Sequence, residues 1–247
     1  MPDFENAEKV ITGEGVTKRF GGMTAINGVD FHLKKGEILG LIGPNGAGKT
    51  TLFNCISAFY KADEGTITFD GKQINKLSPD KICRLGIART FQAANNFPDM
   101  SVRDNVRMGA LFGQAGISYE QADGITDETM AFTGLEKYAH MNVPDMPLAL
   151  QKRLEVARAL ATKPGVLMID EVMAGLNPAE VSDAMELVIN IQNRGVTVLM
   201  IEHVMKAIMA ICDRIIVLHH GELIAEGTPD QVANDPLVID VYLGEEA

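Results

Sequence analysis

The sequence predicts an α/β protein built on a mainly parallel sheet covered by helices. Three observations predict it. Apolar runs of strand length alternate with helical segments, a glycine-rich turn joins a buried run to a helix, and one long helical stretch interrupts the alternation.

Residues 1–42 read as short β segments. Within 29–33, apolar Val29, Phe31 and Leu33 alternate with polar residues, and 37–42 forms a buried apolar run. After the glycine turn, 49–58 carries Leu52, Phe53 and Ile56 at helical spacing, so the order is strand, loop, helix. Residues 65–69 read as another edge strand. From 93 to 163 the pattern changes to polar-flanked helical segments without a convincing strand, including a loose stretch at 113–124. The last helix there, 150–161, places Leu150, Leu154, Ala157 and Ala161 on one face. Alternation then returns, with strands at 166–169, 196–201 and 215–218 and helices at 179–193 and 204–211. The division that follows is a core of 1–92 with 164–247 and a helical insertion of 93–163.

Composition narrows the function classes. The chain has 247 residues, 46% hydrophobic and 22% charged, enough apolar material for a sizeable core. Its 33 acidic against 22 basic side chains give a net charge of −11, which excludes nucleic-acid binding by bulk charge. The longest apolar runs, such as 198–201 and 215–218, fall far short of the roughly 18 residues that cross a bilayer. The opening MPDFENAEKV has no apolar block, so the chain is expected to stay in the cytosol. Cys55, Cys83 and Cys212 are scattered and odd in number; buried free thiols are expected, with neither a disulfide nor zinc.

Gly43-Pro44-Asn45-Gly46-Ala47-Gly48-Lys49-Thr50 fits G-x-x-x-x-G-K-[ST], with Thr51 following. At this composition, chance supplies roughly 0.01 such matches, and the strand before and helix after the loop lower that further. Glycines let backbone N–H groups curl round a phosphate chain, and the helix N-terminus adds positive potential. Lys49 would neutralise the outer phosphates and Thr50 would offer its hydroxyl to Mg²⁺. The run 166–169 ends in Asp170-Glu171. One acid there suits Mg²⁺, and its neighbour suits orienting or deprotonating a water.

With these two motifs on one chain, the sequence resembles the nucleotide-binding subunit of ATP-binding cassette transporters over essentially its whole length. The resemblance implies a P-loop NTPase core with an N-terminal antiparallel β subdomain and an inserted α-helical subdomain. Alone, Phe20 passes for a core ring, Gln92 for a loop amide and His203 for a structural imidazole. By resemblance, Phe20 stacks on adenine, and Gln92 in Arg89-Thr90-Phe91-Gln92 contacts Mg²⁺ and couples to the membrane subunits. His203 in Ile201-Glu202-His203 contacts the γ-phosphate, and Ala174-Gly175-Leu176-Asn177 touches a partner subunit. The implied catalytic set is Glu171, His203 and Lys49. Nucleotide binding falls to Phe20, residues 43–51, Gln92 and Asp170, and Mg²⁺ ligation to Thr50, Gln92 and Asp170.

More narrowly, the chain is similar to the ATPase subunits of branched-chain amino acid importers. The features are residues 18–22, 41–54, 88–92, 153–158 and 174–178 and the ending Tyr242-Leu243-Gly244. The resemblance implies ATP as substrate and Mg²⁺ as cofactor. The implied partners are a second cassette ATPase in a homo- or heterodimer, integral membrane subunits and, indirectly, an extracytoplasmic solute-binding protein. The place is the cytoplasmic face of the inner membrane. A groove near Gln92, Phe97, Met100 and Val102 would receive a membrane-subunit helix, unless those residues are core.

The chain departs from the family pattern where a Leu-Ser-Gly-Gly-Gln signature is expected. Met146-Pro147-Leu148-Ala149-Leu150 stands there instead. Pro147 has neither hydroxyl nor N–H, and Ala149 replaces a glycine, so at least one phosphate donor is lost. A heterodimer with one competent site is one expectation, and a homodimer whose remaining amides suffice is the other. Val172-Met173 also replaces the usual proline and small residue. Other readings are a regulatory nucleotide-binding subunit, an exporter ATPase of the lipopolysaccharide type, or a DNA-maintenance cassette, the last disfavoured by the short acidic chain.

Overall fold

The computed structural model describes Phe4, residues 7–91 and residues 96–243. In chain order the first elements are β1 (Lys9–Phe20), β2 (Met23–Lys34), β3 (Ile38–Ile42), α1 (Lys49–Ile56), β4 (Glu64–Phe69) and β5 (Lys72–Gln73). Next come α2 (Pro79–Leu85), β6 (Ile87–Arg89), α3 (Val102–Gly113), α4 (Tyr119–Thr133), α5 (Leu148–Leu160), β7 (Val166–Asp170) and α6 (Pro178–Asn193). The chain ends with β8 (Thr197–Ile201), α7 (Met205–Ile211), β9 (Arg214–His219), β10 (Glu222–Gly227), α8 (Pro229–Ala233) and α9 (Pro236–Leu243). These form two compact units, Met1–Pro79 with Thr197–Ala247, and Asp80–Val196.

The first unit holds an antiparallel sheet in the order β2-β1-β4-β5. β1 and β2 pair from Lys9↔Lys34 to Phe20↔Met23, so the expected short segments are two 12-residue strands. Register shifts between Lys9 and Arg19 explain the difference, because each bulge breaks the two-residue period by which a strand is recognised. β4 is flanked by β1 and β5, which corrects its reading as an edge strand. The same unit holds β3 in parallel register between β8 and β9, with β10 antiparallel beyond β9. Every residue of β3 and β8 is buried, as expected of strands covered on both faces.

The second unit pairs β6 with β7 in parallel, from Ile87↔Val166 to Arg89↔Met168. Its helices share a core of Val102, Val106 and Ala110 from α3, Ala122 and Met130 from α4, and Leu154 and Ala157 from α5. Ala161 belongs to the same core and Leu150 packs on it, so the face expected of the last insertion helix is the buried one. The stretch 113–124 is not loose throughout. Ser118 accepts from the Gln121 N–H while the Gln121 side chain accepts from the Ser118 N–H, and this capping box starts α4 at Tyr119. β6 and α2 are too short to show a period in sequence. The second unit is wider than the expected insertion because β6 and β7 contact α5.

β10, α8 and α9 were not expected either. β10 exists because His220 and Gly221, both at positive φ, turn the chain back onto β9. No described helix is long and apolar enough to cross a membrane. Cys55 and Cys212 are buried, whereas Cys83 is half-buried rather than buried. Burial pushes all three thiols up, Cys55 to about 11.

Candidate functional site

In the first unit, β3 delivers the chain into the glycine loop. Gly43 has φ 147°, and a Cβ there would lie 2.1 Å from the Leu218 carbonyl oxygen. Gly48 has φ 103° and caps α1; a Cβ there would lie 2.5 Å from the Ala25 oxygen. Only glycine meets both demands. Gly221 donates its N–H to Ala47 O at 3.0 Å, and Asn27 donates to Gly221 O at 2.9 Å, so the two sheets brace the loop. Asn45, Gly46 and Thr50 are exposed and Thr51 half-buried, while Gly43, Pro44, Ala47 and Lys49 are buried.

Lys49 donates to Gly43 O at 2.6 Å and Pro44 O at 2.8 Å, placing its ammonium over the loop. No side chain caps α1 and no acid occupies its first turn. An uncapped helix start beside an ammonium offers the N–H donors and positive potential that a phosphate group needs. β8 runs beside β3, with Leu41 opposite Ile201, so Gly43 and the exposed His203 leave from the same ends of neighbouring strands. Those carboxyl ends are where parallel sheets bind ligands. Phe20 is 40% exposed, edge-on to Tyr60 at 5.2 Å, with Lys18 Nζ 5.3 Å from its ring centre. Its exposure discards the core-ring reading and leaves a face for stacking on a base.

The second unit carries the acid pair. Asp170 closes β7 with only 2% of its surface exposed. Its N–H donates to Thr90 Oγ1 at 2.9 Å, and its carboxylate lies 3.3 Å from the Arg89 guanidinium. Burial draws the Arg89 pKa down, and the charges of Asp170 and Glu155 oppose that. Glu155, itself buried, accepts from the Phe91 N–H at 3.1 Å. The sequence reading gave Arg89, Thr90 and Glu155 no part in the site; an acid on the buried side of an apolar helix was the available sign. Glu171 follows at φ 52°, a conformation costing a non-glycine residue roughly 1–2 kcal/mol. Its carbonyl accepts from Lys152 Nζ at 2.6 Å.

Gln92 lies outside the described residues. Asn177 accepts from the N–H groups of Ala179 and Glu180 and so caps α6. Val102 is fully buried in the helical core, whereas Phe97 is 41% exposed, with Arg158 5.3 Å from its ring centre. Pro147 stands at the N-cap of α5 without a side-chain cap bond, and Leu148 after it is 46% exposed. In place of the usual proline and small residue, Val172 and Met173 are buried anchors behind Glu171.

The sequence matches the family model described as ABC transporter over residues 26–174, and one described as branched-chain amino acid ATP-binding cassette transporter over residues 222–247. It is 38% identical to the high-affinity branched-chain amino acid transport ATP-binding protein BraF of Pseudomonas aeruginosa, covering 96% of this chain and 98% of that one. Among solved structures it resembles the ADP conformation of an ATP-binding cassette of an ABC transporter, with TM-score 0.86 and 30% identity over 96% of this chain and 99% of that one. It also resembles a dimeric cassette in a post-hydrolysis state bound to ADP and Pi, with TM-score 0.80 and 27% identity over 89% of this chain and 98% of that one.

Proposed function

The chain belongs to the ATP-binding cassette transporter family as an ATP-hydrolysing subunit, and on that premise we propose that it powers import of branched-chain amino acids or related small solutes. The observation that carries the solute class is the end-to-end likeness to a branched-chain amino acid transport protein, extended by the separate match at residues 222–247.

The residue roles follow from the chemistry of each group. Residues 43–51 hold the phosphates through backbone N–H groups and Lys49. Phe20 stacks on the adenine and His203 donates to the γ-phosphate. Glu171 accepts a proton from the attacking water as the water oxygen bonds to the γ-phosphorus and ADP leaves. The hydroxyl of Thr50, the amide oxygen of Gln92 and the carboxylate of Asp170 are hard oxygen donors of the kind Mg²⁺ takes; the ion supplies charge neutralisation on the phosphates.

The functional division we favour remains a nucleotide core of 1–92 with 164–247 and an insertion of 93–163. The partners in this reading are a second cassette, integral membrane subunits at the cytoplasmic face of the membrane and, through them, an extracytoplasmic binding protein. Pro147 at the start of α5 favours a second cassette of different sequence, which supplies the intact signature to this chain's nucleotide. Deleting the chain's gene should abolish uptake of labelled leucine, isoleucine and valine. Wild type should restore it and Glu171→Gln should not. Unchanged uptake of all three would overturn the solute class.

A further inference from the structure

Lys152, on α5, reaches the main-chain oxygen of Glu171 with its ammonium at 2.6 Å. Five described residues other than glycine have positive φ: Ala58, Asp70, Lys163, Glu171 and His220. Asp70 and His220 each precede a glycine in the turn between two strands, where such φ is usual. Glu171 instead directly follows a buried strand and is followed in turn by buried Val172 and Met173. A backbone in that region persists only where its surroundings hold it. The Ala174 N–H donates to the same oxygen at 3.4 Å, a long bond, so the short charged bond from Lys152 is the stronger of the two.

We propose that Lys152 is a positioning residue for ATP hydrolysis: its bond to the Glu171 carbonyl holds the left-handed main chain that aims the Glu171 carboxylate. This rests on the assignment of Glu171 as the base. The side chain of Glu171 leaves from the φ/ψ that Lys152 fixes, so losing the bond lets the carboxylate swing away from the water without touching the groups that bind ATP. Lys152 also lies on the helix that opens at Pro147, so its hydrogen bond ties that helix directly to the main chain of the base.

The test uses the intact transporter isolated through a tag on this chain, with Mg-ATP as substrate. Lys152→Met is expected to lower kcat about tenfold with KM for ATP unchanged, and Lys152→Arg, which keeps a cationic donor, to recover most of the loss. The backbone carbon shifts of Glu171 should leave the left-handed range in Lys152→Met and stay in Lys152→Arg. Glu171→Gln should be inactive. If Lys152→Met keeps its kcat while Glu171→Gln has none, the positioning role is wrong and the base stands. If Glu171→Gln remains active, the base assignment fails. A joint loss of kcat, ATP affinity and melting temperature that arginine does not rescue would make Lys152 structural and overturn the proposal.

Discussion

The Arg89 guanidinium and the Asp170 carboxylate form an ion pair at 3.3 Å, with side chains 10% and 2% exposed. Removing one member of a buried pair leaves the other charge without its counter-ion, which costs more than the intact pair contributes. Arg89→Met should lower stability by about 3 kcal/mol. The double variant Arg89→Met with Asp170→Asn should recover part of that loss, since the buried charge is then gone as well. Thermal melting of the two variants beside the wild type checks this, and a double variant no more stable than Arg89→Met would contradict it.

That pair also marks where the sequence stops being readable. The phosphate loop is local: its eight consecutive residues start directly after a run of five buried strand residues and end in the first turn of a helix, so spacing alone identifies it. Asp170 and Glu171 are a common kind of strand ending on their own, and it is the phosphate loop on the same chain that makes them readable as a site. Arg89 and Asp170 are 81 positions apart, and Lys152 and Glu171 are 19 apart, so nothing periodic joins them. The long first strands were obscured by bulges, β6 by its three residues and α9 by a short apolar run. The family resemblance supplied Phe20 and His203, whose residue types alone do not distinguish them from structural rings.

Gly43→Ala should damage the loop directly. The added Cβ meets a backbone oxygen at 2.1 Å, and φ is 147°, so neither the side chain nor the backbone can relax. Overpacking against backbone together with a forbidden dihedral costs about 3 kcal/mol or more, or roughly 8 °C in melting temperature for a chain of this length. ATP affinity should fall with it. A variant with wild-type melting and wild-type ATP binding would show that the loop is looser than its contacts imply.

His32 sets a pH dependence of stability. Burial, then the positive charge of Arg214, holds its pKa down to about 4 from an ordinary 6.5, with Glu226 opposing. Between those two pH values the unfolded chain binds a proton that the folded chain refuses, so stability falls as the pH is lowered through that window. The ring is half-exposed, and solvent screening reduces the effect to about 1 kcal/mol. Asp63, held low first by the Arg19 backbone N–H and then by Lys18, and Asp123, held low first by the Arg103 guanidinium, titrate below this range. His32→Gln should flatten the fall in melting temperature between pH 6.5 and 4.5, and an unchanged slope would remove His32 as its source.

Restoring the start of α5 tests why the chain would need a different partner. Pro147 offers the helix no side-chain cap and no N–H, and Leu148 beside it is half-exposed and apolar. Pro147→Ser with Ala149→Gly returns a hydroxyl, an N–H and an open backbone to that end. One donor aimed at a phosphate in the transition state is worth about 3 kcal/mol, or roughly 10² in rate. The purified double variant should therefore hydrolyse ATP on the order of 10² faster than the wild-type chain, with activity rising faster than linearly with protein concentration as two copies meet. Glu171→Gln in the same background should abolish the gain. If the wild-type chain alone already shows the steep concentration dependence, its remaining amides suffice and a homodimer is competent. If the double variant gains nothing while still binding ATP, the start of α5 is not what limits the isolated chain.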